Sequence, residues 1–194
     1  VPAPYDLVAL VNGEPDTMFD RGIRELGGME TFVKRRDTVV IKPNMSWYAD
    51  PEDAANTNPR LIRRIVEHCF NAGARKVYLF DNILSRDSYR ASGIEQAAEE
   101  AGGQTVPANM ERYYEKVELP KAKRLRSVKV HELLLEADAF INVPVLKHHG
   151  STHLSLAMKN LMGCVWDRGY YHRNNLDQCI ADFITFKKPT LNVI

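Results

Sequence analysis

Short apolar runs rich in β-branched residues alternate along the chain with stretches whose apolar positions recur every three to four residues. That alternation predicts βαβ units around a largely parallel sheet. A first strand is expected at Asp6–Val11, followed by an amphipathic segment from Thr17 to Leu26 that Gly27-Gly28 closes. Thr38–Ile41 reads as a short buried strand behind the charged Lys34-Arg35-Arg36-Asp37. The clearest element is a helix from Pro59 to about Ala72, where Leu61, Ile62, Ile65, Val66, Cys69 and Phe70 fall on one stripe. Asn58 supplies its cap, Pro59 takes the first helical position where a missing N–H costs nothing, and Gly73 ends it. Val77–Phe80 then completes a βαβ unit with an expected right-handed crossover.

Further on, Gly93–Ala101 reads as a helix stopped by Gly102-Gly103, with a strand near Gln104–Val106. Tyr113–Leu119 and Arg124–Val130 alternate like an exposed antiparallel pair joined by Pro120-Lys121-Ala122-Lys123. Val130–Ala137 returns to a helical pattern, and Ala139–Leu146 is a strongly apolar strand. Its Asn142 and Pro144 suggest an edge position or a bulge near a site. A helix over His153–Met162 is expected to turn Leu154, Ala157, Met158 and Leu161 inward and to stop at Gly163. Thr190–Ile194 reads as a last strand. The expected fold is therefore α/β, an open and largely parallel sheet with helices on both faces and a small antiparallel insertion near residues 113–130. One domain is expected over residues 1–194, from a natural chain that extends past Ile194 and past Val1.

Composition narrows the function classes. The 194 residues carry 26 Lys and Arg against 25 Asp and Glu, a formal charge of +1, so no global field draws the chain to nucleic acid or an anionic membrane. No run approaches the ~20 apolar residues needed to cross a bilayer, and no membrane span is expected. Cys69, Cys164 and Cys179 are widely spaced with no Cys-x-x-Cys pair, which argues against a disulfide framework, a zinc knuckle or a self-contained iron–sulfur cluster. Each is expected to be a small buried hydrophobe. The compartment stays open between cytoplasm and export after signal removal, with export slightly favoured.

Candidate chemistry lies at strand ends, because in open parallel sheets ligands bind beyond the carboxyl ends of the strands. Three segments qualify: Lys42-Pro43-Asn44, Asp81-Asn82 and Lys147-His148-His149. The first two also read as ordinary turns or caps. The third is denser, since Lys147, His148, His149 and His153 fall within seven residues and Gly150 leads into an expected helix that Ser151 or Thr152 would cap. Free N–H groups there would receive a phosphate or carboxylate. The imidazoles allow a second reading, with His149 and His153 as ligands of a divalent metal. His68 and His131 are expected on the surface. Lys159-Asn160 lies beside the apolar stripe, and Asp167–Arg173 is either a lid or a surface connector. The basic residues of Lys121–Lys129 read as a solvated face or as an anion-facing rim.

The ordered set Val39-Val40-Ile41-Lys42-Pro43-Asn44, Asn56-Thr57-Asn58-Pro59, Gly73-Ala74-Arg75-Lys76-Val77, Leu146-Lys147-His148-His149, Met158-Lys159-Asn160-Leu161-Met162-Gly163 and Tyr171-His172 resembles the domain-of-unknown-function 362 family, from about Leu7 to the C-terminus. The family has no assigned activity. The resemblance implies frequent company with ferredoxin-type 4Fe–4S segments and, in many members, export by a twin-arginine signal. The positions it carries over are Lys42, Asn44, Thr57, Lys147, His149, Lys159, Asn160 and His172. Without a ferredoxin cysteine cluster here, any iron–sulfur centre is expected from a further segment or a partner.

These readings combine into one expectation and one alternative. The expectation is an enzyme, or a subunit of one, that binds a small anionic substrate or cofactor, with metal assistance as an open variant. Lys147, His149 and His172 form its catalytic set, while Lys42, Asn44, Thr57, Asp81, Lys159 and Asn160 bind the ligand. The alternative is a non-catalytic domain that docks a ferredoxin-like iron–sulfur partner through Lys121–Lys129 and the Tyr170-Tyr171 loop. A nucleotide-binding module lacks a Gly-x-Gly-x-x-Gly or phosphate-loop sequence.

Overall fold

The computed structural model describes residues 6–83 and 87–194. In chain order the elements are α1 (Pro15–Glu25), β1 (Thr38–Pro43), α2 (Pro59–Asn71), β2 (Lys76–Leu79), α3 (Asp87–Ala91), α4 (Ile94–Glu100), β3 (Gln104–Thr105), β4 (Tyr114–Glu118), β5 (Ser127–His131), α5 (Glu132–Glu136), β6 (Ala139–Val143), β7 (Lys147–His149), β8 (His153–Ser155), α6 (Ala157–Asn160), α7 (Arg168–Arg173), α8 (Leu176–Phe183) and β9 (Leu191–Asn192). Five strands form a parallel sheet in the order β3-β2-β1-β6-β9, and β4-β5 and β7-β8 are separate antiparallel pairs.

This order fixes where a ligand can sit. The chain leaves β1 toward β2 and β3, then returns to the other side of β1 as β6, so the connections diverge from the β1/β6 boundary and open a crevice above their carboxyl ends. Strand alternation decides which side chains line it. Val39, Ile41, Ala139 and Ile141 join the core under α1, α2 and α4, whereas Val40 and Phe140 join the core under α5, α8 and the β4-β5 pair. Lys42 and Asn142, paired in register, continue that second face to the top of the sheet.

Helix α2 shows how local sequence seats the first layer. The Asn58 side chain accepts from the Arg60 N–H at 2.9 Å, Pro59 occupies the first turn, and Gly73 closes the helix at φ +94°. Ile62, Ile65, Val66 and Cys69 are fully buried, each aliphatic side chain contributing about 1.5–3 kcal/mol. On the outer face, Arg60 and Arg64 bind Glu14, Asp16 and Asp20, tying α2 to α1. Cys164 and Cys179 are also buried. Among the described residues, no helix is long and apolar enough to cross a membrane.

Several expectations change. Residues Asp6–Val11 form no strand; Leu7 and Val11 are 83% and 78% exposed, and the place beside β6 is taken by β9. Pro144 requires neither edge nor bulge, because β6 lies between β1 and β9 and ends at Val143. The helix expected over His153–Met162 is replaced by the β7-β8 hairpin, the four-residue α6 and a 3-10 turn over Leu161–Cys164. Antiparallel pairing of Lys147 with Ser155 and His149 with His153 satisfies that backbone instead, and it leaves Leu154 and Met158 exposed. The capped helix N-terminus expected after Gly150 is therefore absent. His131 is buried, stacked on Phe80 with centroids 4.0 Å apart, and its Nδ1 accepts from Leu133 N–H to cap α5. His68 is half-buried, with Nε2 2.8 Å from Asp20.

Candidate functional site

The three strand-end segments meet at the crevice above β2, β1 and β6. Their cleft has a volume of about 580 Å³, and its walls include Lys42, Asn44, Asp81, Lys147, His149, Lys159, Asn160 and His172. Thr57 stands behind that wall rather than on it: its hydroxyl donates to Val143 O at 2.7 Å and accepts from Asn44 N–H at 2.8 Å. It braces the ends of β1 and β6 against each other. His153 pairs with His149 across the hairpin but is exposed and does not line the cleft.

At the floor, Lys42 and Asp81 form an ion pair at 3.0 Å with both side chains 1% exposed. A buried pair persists only if its remaining donors and acceptors are satisfied. Here Lys42 Nζ also donates to Asn160 Oδ1 at 3.2 Å and to Pro43 O, while Asp81 Oδ2 accepts from Met45 N–H at 3.2 Å and Ser46 Oγ at 3.0 Å. Tyr89 Oη pins the Asp81 backbone, accepting from its N–H at 2.9 Å and donating to its C=O at 2.7 Å. Asn160 joins the two central strands by donating to Lys42 O at 3.1 Å and Asn142 Oδ1 at 2.9 Å. Asn142 donates in turn to Ala157 O and Asn192 Oδ1.

Gly163 explains why the roof approaches so closely. A Cβ at that position would lie 1.8 Å from Asp81 Oδ1 and 2.3 Å from Lys42 Cε, so only glycine lets this backbone cross the ion pair. Asn82 holds the crossing, its N–H donating to Gly163 O at 2.9 Å and its side-chain amide to Val165 O and Trp166 O.

Above this floor the cleft is cationic. Lys147 donates to Asn44 Oδ1 at 3.0 Å and Ala55 O at 2.5 Å, and its Nζ lies 5.8 Å from the Trp47 ring centroid. Lys159 and Arg168, both half-buried, have no side-chain hydrogen bond or ion pair with any described residue. The carboxylate in the cleft, Asp81, is already committed to Lys42. Burial lowers the affinity of Lys147 for its proton, with Lys159 and Lys42 adding to the effect and Asp81 opposing it. Burial does the same at Lys159, reinforced by Arg168 and Lys42. His149 is likewise pushed below the ordinary histidine range, first by burial and then by Lys159 and His172.

The protonation pattern of His149 follows from its turn. Ser151 and Thr152 N–H point at Nδ1 at 3.1 and 3.4 Å, so the neutral ring carries its proton on Nε2. In that form His149 donates to a ligand; coordinating a metal through Nε2 would require moving the proton to Nδ1 against those two amides. Among the described residues, no group of three or more His, Cys, Asp or Glu side chains is placed to hold a metal ion.

Wall residues outside the candidate set drawn from the sequence include Ser46, Trp47, His148 and Arg168. Arg168 lies in the segment read as a lid or connector, and no local motif distinguishes it from a surface arginine. Trp47 is presented by a clamp, since Asn56 accepts from its N–H at 3.1 Å and donates to its C=O at 2.9 Å. In the same Asp167–Arg173 segment Tyr171 is fully buried, so it cannot serve the docking role expected of the Tyr170-Tyr171 loop.

A family model described as a domain of unknown function (DUF362) matches residues 39–194. The Thylakoid-associated protein sll1697 of Synechocystis sp. is 26% identical over 146 residues, which is 74% of this chain and 44% of that protein. The chain thus spans less than half the length of this curated relative. No solved structure matches.

Proposed function

The chain belongs to the DUF362 family of domains of unknown function, and from that premise we propose that it binds a small anionic substrate or cofactor in the cleft above β1 and β6, as an enzyme or enzyme subunit. The observation that carries this reading is a charge imbalance. Lys147, Lys159 and Arg168 converge on a half-buried space whose wall carboxylate, Asp81, already neutralises Lys42. Cations held close together in reduced solvent cost free energy that a bound anion returns. A phosphate or carboxylate placed there gains charge-assisted hydrogen bonds from Lys159 and Arg168 and a neutral donor from His149. His172, exposed at the mouth, and His149 are the groups available to move a proton at the ligand.

Metal assistance is the weaker variant, because His149 Nδ1 already accepts from two turn amides. The docking of an iron–sulfur partner keeps the exposed basic residues of the 121–129 segment but loses Tyr171 to the core.

Calorimetric titration with inorganic phosphate tests the proposal. Lys159→Ala should weaken binding by about tenfold or more, the scale of one lost charge-assisted hydrogen bond. Its thermal midpoint should be preserved, since the Lys159 ammonium has no hydrogen-bond or ion-pair partner among the described residues. Absent binding in the parent chain, or equal binding in parent and variant, contradicts the proposal.

A further inference from the structure

A second hollow adjoins the cationic cleft. It has a volume of about 900 Å³ and runs between the β4-β5 pair and α7, and it shares Ile83, Arg168 and Gly169 with the cleft as common walls. Both volumes lie in the range of small-molecule sites. Their chemistry differs. In the groove, Lys129 is paired with Glu111 at 2.6 Å, Lys116 with Glu118 at 3.0 Å and Asp167 with Arg173 at 3.3 Å. Charge is thus internally compensated there, whereas the cleft holds an uncompensated cationic excess. What the groove offers instead is two half-buried aromatic side chains, Trp166 and Tyr170. Trp166 is held at its backbone, whose N–H donates to Lys129 O at 3.0 Å, and its ring packs against Tyr114 at 5.4 Å between centroids. Arg168 stands where the two spaces join, with no protein partner for its guanidinium among the described residues.

We propose that the cleft and the groove are one elongated site whose ligand is a phosphomonoester with an uncharged planar ring, the phosphate lying among Lys147, Lys159 and Arg168 and the ring against Trp166 and Tyr170. This rests on the anion-binding reading of the cleft and extends it to a substrate class. A charged end and a neutral ring-bearing end match the division between the two spaces. Arg168 binds the phosphate at the junction and sets the direction in which the rest of the molecule leaves. Aromatic walls favour a flat π-face without demanding one base or ring, so selectivity arises from the phosphate-to-ring separation rather than from base-edge hydrogen bonds.

The test compares inorganic phosphate, AMP, FMN and adenosine by calorimetry on the parent chain, Lys159→Ala, Trp166→Ala and Tyr170→Ala, with thermal midpoints as folding controls. AMP or FMN should bind at least about tenfold tighter than inorganic phosphate, and adenosine should bind weakly. Trp166→Ala should remove most of that advantage and leave phosphate affinity unchanged, whereas Lys159→Ala should weaken phosphate and phosphomonoester alike. Should Trp166→Ala fail to fold, Tyr170→Ala carries the same expectation with a smaller loss. If phosphate binds with the expected Lys159 dependence but neither AMP nor FMN binds more tightly, the elongated site is overturned and the anion cleft stands. If phosphate does not bind at all, the anion reading fails and this inference fails with it.

Discussion

Removing the Lys42 ammonium as Lys42→Met leaves the Asp81 carboxylate at 1% exposure with, among the described residues, Met45 N–H and Ser46 Oγ as donors to its Oδ2. Oδ1, which faces Lys42 at 3.0 Å, loses its cation. An uncompensated buried charge of this kind costs about 3–5 kcal/mol. Asp81→Asn should cost a similar amount, because among the described residues Lys42 would retain the neutral acceptors Asn160 Oδ1 and the Pro43 carbonyl. The double variant, which leaves no buried charge, should be more stable than the sum of the two losses implies by about 2 kcal/mol or more. Urea unfolding of the four proteins at neutral pH measures this coupling, provided the slope of stability against denaturant is the same in all four. Additive losses, or single variants within about 0.5 kcal/mol of the parent, would refute the view that this pair is a desolvated unit on which the cleft floor is built.

Three further outcomes follow from particular contacts. Gly163→Ala should cost at least about 2 kcal/mol in urea unfolding and weaken phosphate binding, since the new methyl must displace the Lys42–Asp81 pair or lift the roof. Burial opposes ionisation of Asp182, but backbone N–H groups of Lys123, Leu125 and Arg124 and the Gln178 amide outweigh it and hold the carboxyl at about 2. Because the folded value lies below the unfolded one, that stabilisation is present above about pH 4 and is lost as pH falls toward 2; Asp182→Asn should cost about 2 kcal/mol at pH 7 and little near pH 2, read by chemical unfolding at both. Sulfate stays a dianion throughout this pH range, and the lowered affinities of Lys147 and Lys159 for their protons mean that its binding should begin to weaken below the ordinary lysine range of about 10.4 as pH rises. A flat profile to pH 10 would show that neither lysine meets the anion.

The parts of the fold that were legible are those where local chemistry and tertiary need agree. Asn58, Pro59 and Gly73 mark α2 because a cap, a proline and a positive-φ stop act within a few residues, and the alternation at residues 113–130 suits a pair with one wet face. The segment after Val143 misleads because Leu154, Ala157, Met158 and Leu161 keep helical spacing without being buried together; Leu161 is core, but Leu154 and Met158 face outward. Hairpin pairing between Lys147 and Ser155 competes with that helix and wins, and no turn signature beyond Gly150 marks it. His131 offers no local sign of burial, since the Phe80 ring on which it stacks is far away along the chain. In the cleft, Lys42, Asp81 and Lys147 were findable from strand ends alone. Arg168 and Gly163 were not, because a guanidinium without a side-chain partner among the described residues and a glycine pressed against the ion pair are defined only by the folded chain.

The most direct measurement is a crystal of the chain soaked in tungstate, a phosphate-shaped anion whose tungsten scatters anomalously. The expected result is one strong anomalous peak in the cleft, within hydrogen-bond reach of Lys159 Nζ and the Arg168 guanidinium, that disappears in Lys159→Ala. A cleft without a peak, or a peak there that persists unchanged in Lys159→Ala, would contradict anion binding by these cations.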